Sequence, residues 1–252
     1  MSNNKILKKV IEEIYKVSKL NKSPVAIQSN IFPLIQKKII NNSLEVRDLM
    51  LEILNIFSGR TLLMPTFINY LDSDQLNYKT INLDKLKSST GVLSEEFRKY
   101  KYSSRTLSPT LPWSIFGNDK DYLINLKPKI EWGKNSVLEW MQKKDAQIIM
   151  IGEHRIDNVL KHRVELINKK IVKYRKFYNY RRKILVNKKK YAIEQKYFGL
   201  RKDTTEPNYE YLWGNNFLAN CRIKNIYGLK ITSYKTLEYM KEFERKLKNK
   251  KK

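Results

Sequence analysis

Two histidines, His154 and His162, are the only imidazoles in the chain, and both follow the apolar run AQIIMIG at 146–152. Glu165 lies three residues after His162, so the two side chains share one face if the segment is helical. A carboxylate beside an imidazole fixes the tautomer of the ring and stabilises its protonated form. The pair therefore indicates a general base that removes a proton from an amine or a hydroxyl. An ordinary surface ion pair is the other interpretation of this spacing.

Small polar residues follow two other apolar runs, and a third group lies in a proline-containing segment. In α/β sheets, ligands collect at the carboxyl ends of strands, so polar residues just beyond a strand are candidates for binding. Arginine together with hydroxyl groups suits the recognition of phosphate or carbonyl oxygens. Each position is also compatible with an ordinary strand end or turn. The candidates are Ser29 and Asn30 after PVAI, Thr66 after TLLM, and Arg105, Ser108 and Thr110 in RTLSPTLPWS.

The elements that must position these residues alternate between helices and strands. Apolar residues at three- and four-residue spacing predict amphipathic helices, and short bounded apolar runs predict buried strands. The order favours helices packed on a parallel or mixed sheet. The predicted helices cover 5–20, 44–57, 88–100, 136–144, 156–171 and 233–247, the predicted strands cover 23–29, 60–67 and 146–152, a hairpin is predicted at 184–198, and a loop at 69–87.

Length and composition restrict the class of protein. The 252 residues, 41% of them hydrophobic, are enough to bury a core, and no linker is visible, so one domain over 1–252 is expected. Charges interrupt the apolar residues of the N-terminus, which argues against a signal peptide, and no run reaches the ~18 apolar residues of a membrane span. A single cysteine, Cys221, excludes a cysteine-rich zinc site. We therefore expect a cytoplasmic protein without a bound metal, ending in a Lys-rich tail at 246–252.

Five segments in fixed order carry a family resemblance. They are RTLLMPTF (60–67), SSTGVLSEEFR (88–98), RTLSPTLPWSIFG (105–117), WGKNSVLEWMQKKDAQIIMIG (132–152) and DNVLKHRVE (157–165). The chain resembles the aminoglycoside 3-N-acetyltransferases, which carry GTLxMPTF, a small-Gly-x-Leu-x-E-x-FR helix, RS-x-HP-x-x-S, a GExSPL helix, a strand ending in LLG and N-T-x-x-H-x-x-E. PVAIQSNI at 24–31 matches the place of the VHSSL strand end of that family.

The resemblance implies a three-layer α/β/α fold with a central mixed, largely parallel sheet, and acetyl-CoA or another acyl-CoA as co-substrate. The catalytic imidazole of the family corresponds to His162, and the neighbouring carboxylate corresponds to Glu165. By similarity, His162 is the general base that deprotonates the acceptor amine as that amine attacks the thioester. The resemblance also assigns the CoA and thioester channel to the six positions named above, which are Ser29, Asn30, Thr66, Arg105, Ser108 and Thr110.

Several positions depart from the family pattern. The glycine pair that follows VHSSL is absent, and the residues that shape the acceptor and cofactor sites differ more than the catalytic pair does. An inactive relative is therefore an alternative to an active enzyme. The departures are Gln28, Ser29 and Asn30 in place of the VHSSL strand end, Ser108 in place of histidine, Val137 in place of proline, and Val159 and Leu160 in place of threonines.

The charge of the chain bears on the acceptor. Lys and Arg number 51 against 25 Asp and Glu, a net charge of +26. A field of this sign opposes a polycation and attracts anions, although salt screens it beyond about 8–10 Å. The resemblance implies an amino sugar or aminoglycoside as the acceptor, and the charge favours an anionic or neutral amino sugar, such as a nucleotide-linked one. The oligomeric state is left open.

A rival interpretation is a nucleic-acid-binding protein. The segment NKKIVKYRKFYNYRRKILVNKKKY (168–191) interleaves Lys and Arg with aromatic residues, a combination that can track phosphates and stack on bases. The same pattern also fits a basic connection whose aromatic side chains pack inward while the lysines reach solvent. No helix-turn-helix or zinc-finger signature supports the nucleic-acid interpretation.

Overall fold

The computed structural model describes residues 3–18, 22–68, 80–152, 159–186, 188–205 and 222–249. Within these ranges, seven strands form one mixed sheet. They are β1 (Val25–Ser29), β2 (Leu62–Pro65), β4 (Ser104–Arg105), β5 (Trp113–Phe116), β6 (Gln147–Ile151), β9 (Arg222–Ile226) and β10 (Leu229–Lys235). Their order across the sheet is β4-β5-β2-β1-β6-β10-β9. The apolar central strands are buried, as their Val-, Ile- and Leu-rich sequences require.

Parallel pairing is confined to the centre of the sheet. β1 pairs in parallel with β2 and β6, whereas the four outer pairs are antiparallel. The α/β class and the mixed sheet are confirmed, but the expectation of a largely parallel sheet is wrong. Short connections are one reason: a two-residue turn at Tyr227 and Gly228 joins β9 to β10, and so short a link permits only antiparallel strands.

Helices cover both faces of the sheet, so the predicted three layers are present. Alternate residues of β1 face opposite sides: Val25 and Ile27 pack in one apolar cluster, and Ala26 packs in the other. The first cluster includes α1 (Asn3–Val17), α2 (Phe32–Gln36), α3 (Ser43–Ile56) and α4 (Val92–Lys99), and the second includes α5 (Lys120–Ile124), α6 (Val137–Lys143), α7 (Leu160–Ile167) and α8 (Thr236–Asn249).

Each predicted helix has a counterpart, and the differences lie at the ends. The predicted helix at 233–247 begins three residues later, because 233–235 belong to β10. It also continues to Asn249, since Leu247 is buried and Lys248 pairs with Glu244 at 2.6 Å. The Lys-rich tail predicted from 246 is therefore helical as far as 249. Residues 153–158, which include the start of the predicted helix at 156–171, lie outside the described residues.

A second sheet holds the predicted hairpin. β7 (Arg175–Val186) and β8 (Lys189–Leu200) pair antiparallel over their full length, so the hairpin is confirmed and extends beyond 184–198. β3 (Thr80–Asn82) pairs in parallel with β7 and lies within the stretch predicted as loop at 69–87, of which 69–79 is outside the described residues. A small apolar cluster that includes Ile81 and Ile184 supports this sheet. Among the described residues, no helix has the length and apolar content needed to cross a bilayer.

Two strands of the main sheet meet closely at Gly152, directly after β6. The Asn30 N–H donates to the Ile151 carbonyl at 2.7 Å, and a Cβ at position 152 would overlap the Asn30 carbonyl oxygen. Gly152 also has a φ of +80°, a conformation that side chains with a Cβ disfavour. Glycine therefore allows the ends of β1 and β6 to meet at the edge of the sheet where the candidate residues lie.

Gly152→Ala tests this close approach, and Gly59→Ala is its matched control. Gly59 has a similar φ of +76° but open space where a Cβ would lie, so its substitution carries only the backbone cost of about 1–2 kcal/mol. We expect Gly152→Ala to lower the free energy of unfolding in urea by more than about 3 kcal/mol, because backbone must move as well. Equal losses in the two variants would contradict the proposed close contact.

Candidate active site

α7 presents the histidine and the carboxylate together. Leu160 and Val164 pack in the apolar core and fix the orientation of the helix. One turn of helix then places His162 Nδ1 3.0 Å from Glu165 Oε2. The Glu165 side chain is fully buried and the His162 side chain is 18% exposed. The predicted shared face is present, and the pair is not a surface ion pair.

Two residues at the start of the hairpin complete the surroundings of Glu165. The Tyr174 hydroxyl donates to Oε1 at 2.6 Å, and Arg175 Nε lies 2.8 Å from Oε2. The Arg175 side chain is only 2% exposed. A buried carboxylate is stable only when charges and hydrogen bonds compensate its lost hydration. Both oxygens of Glu165 therefore have partners, one from α7 and two from the start of the hairpin.

The imidazole has two possible partners at the same nitrogen. His162 Nδ1 lies 3.0 Å from Glu165 Oε2 and 3.1 Å from Arg175 Nη2. Because a guanidinium only donates, Nδ1 accepts from Arg175 when it carries no proton and donates to Glu165 when it does. The tautomer with its proton on Nδ1 leaves Nε2 with a free lone pair, which is the state that a general base needs.

Trp132 holds the plane of the imidazole. Its ring stacks on His162 with a centroid distance of 4.4 Å and an interplanar angle of 16°. Arg175 Cζ lies 5.7 Å from the same indole, and the Tyr197 ring meets its edge at 5.0 Å. Trp132, Tyr174 and Arg175 were not among the predicted site residues. Their spacing from His162 carries no periodic signal, because the fold and not one helix face brings them together.

Burial and the neighbouring charges set the protonation of the pair. Burial lowers the pKa of His162, the contact with Glu165 opposes this, and the Arg175 and Lys161 charges add to the lowering, so the pKa lies below its ordinary 6.5. For Glu165, burial raises the pKa, but the contacts with His162, Arg175 and Tyr174 outweigh it, and the pKa lies below its ordinary 4.5. At neutral pH the site therefore holds a neutral imidazole beside an ionised carboxylate.

Ser29 and Asn30 lie in a groove on the opposite face of the same sheet edge. This groove of about 350 Å³ runs between the end of β1 and the start of α4, which begins after Gly91. A second groove of about 550 Å³ shares Ile35, Ser89, Gly91 and Val92 with it and includes Lys87 and Lys99. The two grooves form one open path from the strand ends to a rim of mixed charge, where Glu95 and Glu96 lie beside these lysines and Lys99 pairs with Glu96 at 2.8 Å. Such a path suits an elongated ligand with a polar end.

Thr66 and Arg105 are buried and make hydrogen bonds that stabilise the fold. The sequence had predicted them along the CoA channel instead. Thr66 is fully buried, and Arg105 is 7% exposed. The Arg105 guanidinium donates to Thr66 Oγ1, the Thr66 carbonyl and the carbonyls of Leu83 and Leu86 at 2.7–3.1 Å. These bonds tie the turn at 82–86 to the end of β2. Because its donors are committed to protein oxygens, Arg105 is not available to a phosphate, and its assignment to cofactor binding is corrected.

Ser108 lines a separate, small cavity, and Thr110 is its hydrogen-bonded neighbour. Ser108 Oγ donates to Glu131 Oε1 at 2.7 Å and accepts from the backbone N–H groups of Thr110 and Leu111. The cavity has a volume of about 30 Å³, room for about one water, and Ser108, Glu131 and Trp132 line it. None of its lining residues lines the groove at Ser29. The six predicted positions therefore fall in three places. Two lie in the groove, two make hydrogen bonds within the fold, and two lie at or next to the cavity beside Trp132.

The fold and this site are typical of α/β enzymes in which a neutral imidazole takes up a proton during the reaction. A family model described as aminoglycoside 3-N-acetyltransferase matches residues 43–226. The match spans well over half of the chain, so the chain belongs to the aminoglycoside 3-N-acetyltransferase family, whose members are acyltransferases. No curated protein matches it by sequence.

Several solved structures have the same fold. The structure "AAC-IIIb binary with CoASH" aligns with a TM-score of 0.78 and 12% identity, over 97% of this chain and 96% of that one. Sisomicin-bound AAC-VIa aligns with a TM-score of 0.75 and 13% identity, over 99% and 98%. YokD from Bacillus subtilis aligns with a TM-score of 0.74 and 14% identity, over 98% and 95%. At such identities the likeness shows the fold, and the expected fold is confirmed.

The lowered pKa of His162 predicts how stability depends on pH. Below about pH 6.5 the unfolded chain binds a proton at this residue and the folded chain does not, so the free energy of unfolding falls as pH decreases. Urea unfolding at pH 7.5 and pH 5.5 should show this loss for the wild type and a smaller loss for His162→Gln. An equal pH dependence in the two proteins would contradict the assignment of a buried neutral imidazole.

Proposed function

We propose that the chain transfers an acyl group from acyl-CoA, most simply acetyl-CoA, to an amino group of an amino sugar, with His162 as general base. The observation that carries the proposal is the His162–Glu165 pair, buried at the edge of the central sheet and held in the neutral form. Family membership gives the reaction class. In this reaction CoA is a co-substrate that delivers an activated acyl group as a thioester.

His162 Nε2 accepts the proton that the acceptor nitrogen loses as it attacks the thioester carbonyl. A carbon–nitrogen bond forms, the carbon–sulfur bond breaks, and the sulfur leaves as a thiol once a proton is returned to it. Glu165 stabilises the imidazolium that exists between these two proton transfers, because its carboxylate lies 3.0 Å from Nδ1. The neutral resting state follows from burial, which lowers the pKa of the ring from its ordinary 6.5.

Arg175 and Tyr174 act as positioning residues in this scheme. They hold both oxygens of Glu165, so that the carboxylate keeps one orientation toward the ring. The Arg175 charge also balances that of Glu165, which prevents the carboxylate from drawing a permanent proton onto His162. Trp132 restricts the ring to one plane by stacking on it. Together these contacts support a base that is both oriented and unprotonated.

The groove at Ser29 and Asn30 supports the binding of CoA. It is open, it begins at the carboxyl ends of the central strands, and it continues to Lys87 and Lys99 at the surface. A linear ligand with its acyl end toward the strand ends would bring its phosphates to the rim that contains Lys87 and Lys99 together with Glu95 and Glu96. The structure of AAC-IIIb with CoASH, which has the same fold, makes CoA the reasonable ligand for such a groove. Ser29 and Asn30 remain the candidates for contacts with CoA, whose acyl end would have to pass around the sheet edge to reach His162.

Two other interpretations are weaker on particular observations. An inactive relative would not need a buried carboxylate with polar contacts to a histidine, a tyrosine and an arginine, and this chain has all three contacts. For nucleic-acid binding by stacking, the aromatic residues at 168–191 and beyond would have to face solvent. Phe177 is exposed, but Tyr178 donates to the Leu200 carbonyl, Tyr191 is half-buried, and Phe198 is buried. The acyltransferase interpretation accounts for more of the site.

Two substitutions test the roles of the pair. We expect His162→Ala to lower kcat by about 10²–10⁴-fold, since the base is lost, and to leave the affinity for acetyl-CoA within about twofold. Glu165→Gln should lower kcat less, because the imidazole remains but its charged form loses stabilisation. Thiol release from acetyl-CoA with a panel of amino sugars measures turnover, and calorimetric titration measures binding.

Controls separate loss of chemistry from loss of charge or of folding. Glu242→Gln removes a carboxylate from another helical pair, with the exposed Arg245 on α8, and should leave kcat unchanged. His162→Ala that keeps more than half of wild-type kcat would remove His162 from the mechanism. A wild-type protein that binds acetyl-CoA but releases no thiol with any amine would identify an inactive relative. Absence of acetyl-CoA binding would overturn the proposed function itself.

A further inference from the structure

Arg163, the residue after His162 in α7, is buried although it carries a charge. The residue is only 8% exposed. Burial lowers the pKa of its guanidinium, and the nearby Glu139 carboxylate opposes this lowering. A buried guanidinium needs acceptors inside the protein, because each N–H group that leaves water loses a hydrogen bond there. The acceptors around Arg163 therefore indicate what its side chain does.

The acceptors of Arg163 lie in the segment that carries Trp132 and in the helix that follows it. Nη1 donates to the carbonyls of Trp132 at 2.9 Å and Gly133 at 3.1 Å. Nε donates to Gln142 Oε1 at 2.7 Å, and Nη2 lies 3.7 Å from a carboxylate oxygen of Glu139. One side chain of α7 thus binds two consecutive backbone carbonyls and the start and end of α6.

The indole of Trp132 takes its orientation from its backbone and its ring contacts. Its Nε1–H has no hydrogen-bond partner within the part of the chain that the structure describes. The Gly133 N–H donates to the Ile130 carbonyl at 2.9 Å and closes a turn that contains Trp132. The two bonds from Arg163 attach this turn to α7. The backbone of Trp132 is therefore held by the same helix that carries the candidate base.

Adjacent residues of α7 contact Trp132 at two different points. The His162 ring stacks on the indole with centroids 4.4 Å apart, and Arg163 Nη1 lies 2.9 Å from the Trp132 carbonyl oxygen. Both contacts originate in one helix, so together they fix the indole relative to the imidazole. The hairpin provides a separate anchor for this segment, because the Glu131 N–H donates to the Lys196 carbonyl at 3.1 Å. Loss of the Arg163 bonds would therefore loosen the stack without detaching the segment.

We propose that Arg163 is a positioning residue for the proposed acyl transfer, because its bonds to the backbone of Trp132 keep the indole stacked on His162. The inference rests on the proposed function, since it assigns Arg163 a part in the action of His162 as general base. The stacked indole covers one face of the imidazole and keeps the ring in one plane. A base with a fixed plane presents its lone pair to the acceptor amine in one direction. Arg163 acts through Trp132 and is not itself a catalytic residue.

Two other roles of Arg163 predict different results. A direct electrostatic role would require its charge to act on the imidazole. Burial is the main cause of the lowered pKa of His162, and the charges that contribute are those of Glu165 and Lys161 on α7 and Arg175 on β7. A merely structural role, as a link between α6 and α7, would lower the stability of the fold without changing the state of the imidazole.

Arg163→Gln and its matched control Arg60→Gln test the proposal. Arg60 also donates to a backbone carbonyl, that of Ser23, and to a glutamine side chain, that of Gln147. These partners lie where β1 and β6 begin, and none of them belongs to the candidate active site. Arg163→Lys restores a cationic donor beside the Trp132 carbonyl, and Trp132→Leu removes the stacking ring.

The state of the imidazole is read from NMR spectra of untagged protein in a His154→Gln background, in which His162 is the only histidine. A stacked indole shifts the ring protons of His162 upfield, and Trp132→Leu gives their unstacked position. We expect Arg163→Gln to move these protons about halfway to that position or further. It should also raise the pKa of His162 toward 6.5, since burial is the main cause of the lowering. Arg60→Gln should leave both quantities unchanged.

Steady-state kinetics report the same effect on turnover. We expect Arg163→Gln to lower kcat about tenfold, because a misplaced base reaches the reactive geometry less often. The KM for acetyl-CoA, and for the amino sugar with the fastest wild-type turnover, should stay within about twofold. Arg163→Lys should recover part of the lost kcat. In a double-mutant cycle, Arg163→Gln should cost little further activity once Trp132→Leu is present.

Ring protons of His162 that keep their wild-type shift in Arg163→Gln would overturn the proposal. So would additive losses in the double-mutant cycle, or equal effects of Arg60→Gln. Arg163→Met, which keeps the length of the side chain, takes the place of Arg163→Gln if that variant does not fold. The proton shifts and the pKa are read without turnover. If they change as expected but the wild type releases no thiol, acyl transfer fails and the positioning of the imidazole by Arg163 stands.

Discussion

A carboxylate without exposure to water constrains this molecule more than any other single group. Glu165 is fully buried, and its charge is compensated by His162 on its own helix and by Tyr174 and Arg175 at the start of the adjoining hairpin. Breaking such a buried pair costs about 3–5 kcal/mol, because one charge is left without a partner. The second sheet must therefore dock against α7 in one position. That docking orients the imidazole and brings the hairpin to the site.

The sequence alone predicted what depends on local spacing. The His162–Glu165 pair could be found from an i, i+3 relation on a helix, and the central strands from their apolar runs. Arg175 and Trp132 could not be found, because their contacts depend on how β7 and the segment before α6 cross α7. Arg105 was misassigned for a similar reason: its sequence neighbours suggest anion binding, whereas the fold places backbone carbonyls around it.

Drift in sequence has been uneven across this fold. Relatives with 12–14% identity keep nearly the whole architecture. By the motif resemblance, His162 and Glu165 match the family pattern, while the strand end at Gln28–Asn30 and the position of Ser108 differ from it. The total net charge of the chain does not identify its partner. The distribution of the charged residues is more informative. Residues 175–200, which form the hairpin, carry +8 of the total +26, and Arg175 at their start contacts His162 and Glu165.

The tautomer of His162 tests the central claim most directly. Long-range ¹⁵N–¹H correlation spectra report which ring nitrogen carries the proton, and the chain has only two histidines, so His154→Gln assigns the signals. At pH 7 we expect His162 to be neutral, with the proton on Nδ1 toward Glu165 and a lone pair on Nε2. A proton on Nε2 alone, or a doubly protonated ring, would contradict a resting general base. Either result would show that Arg175, or a stronger pull from Glu165, determines the state of the ring.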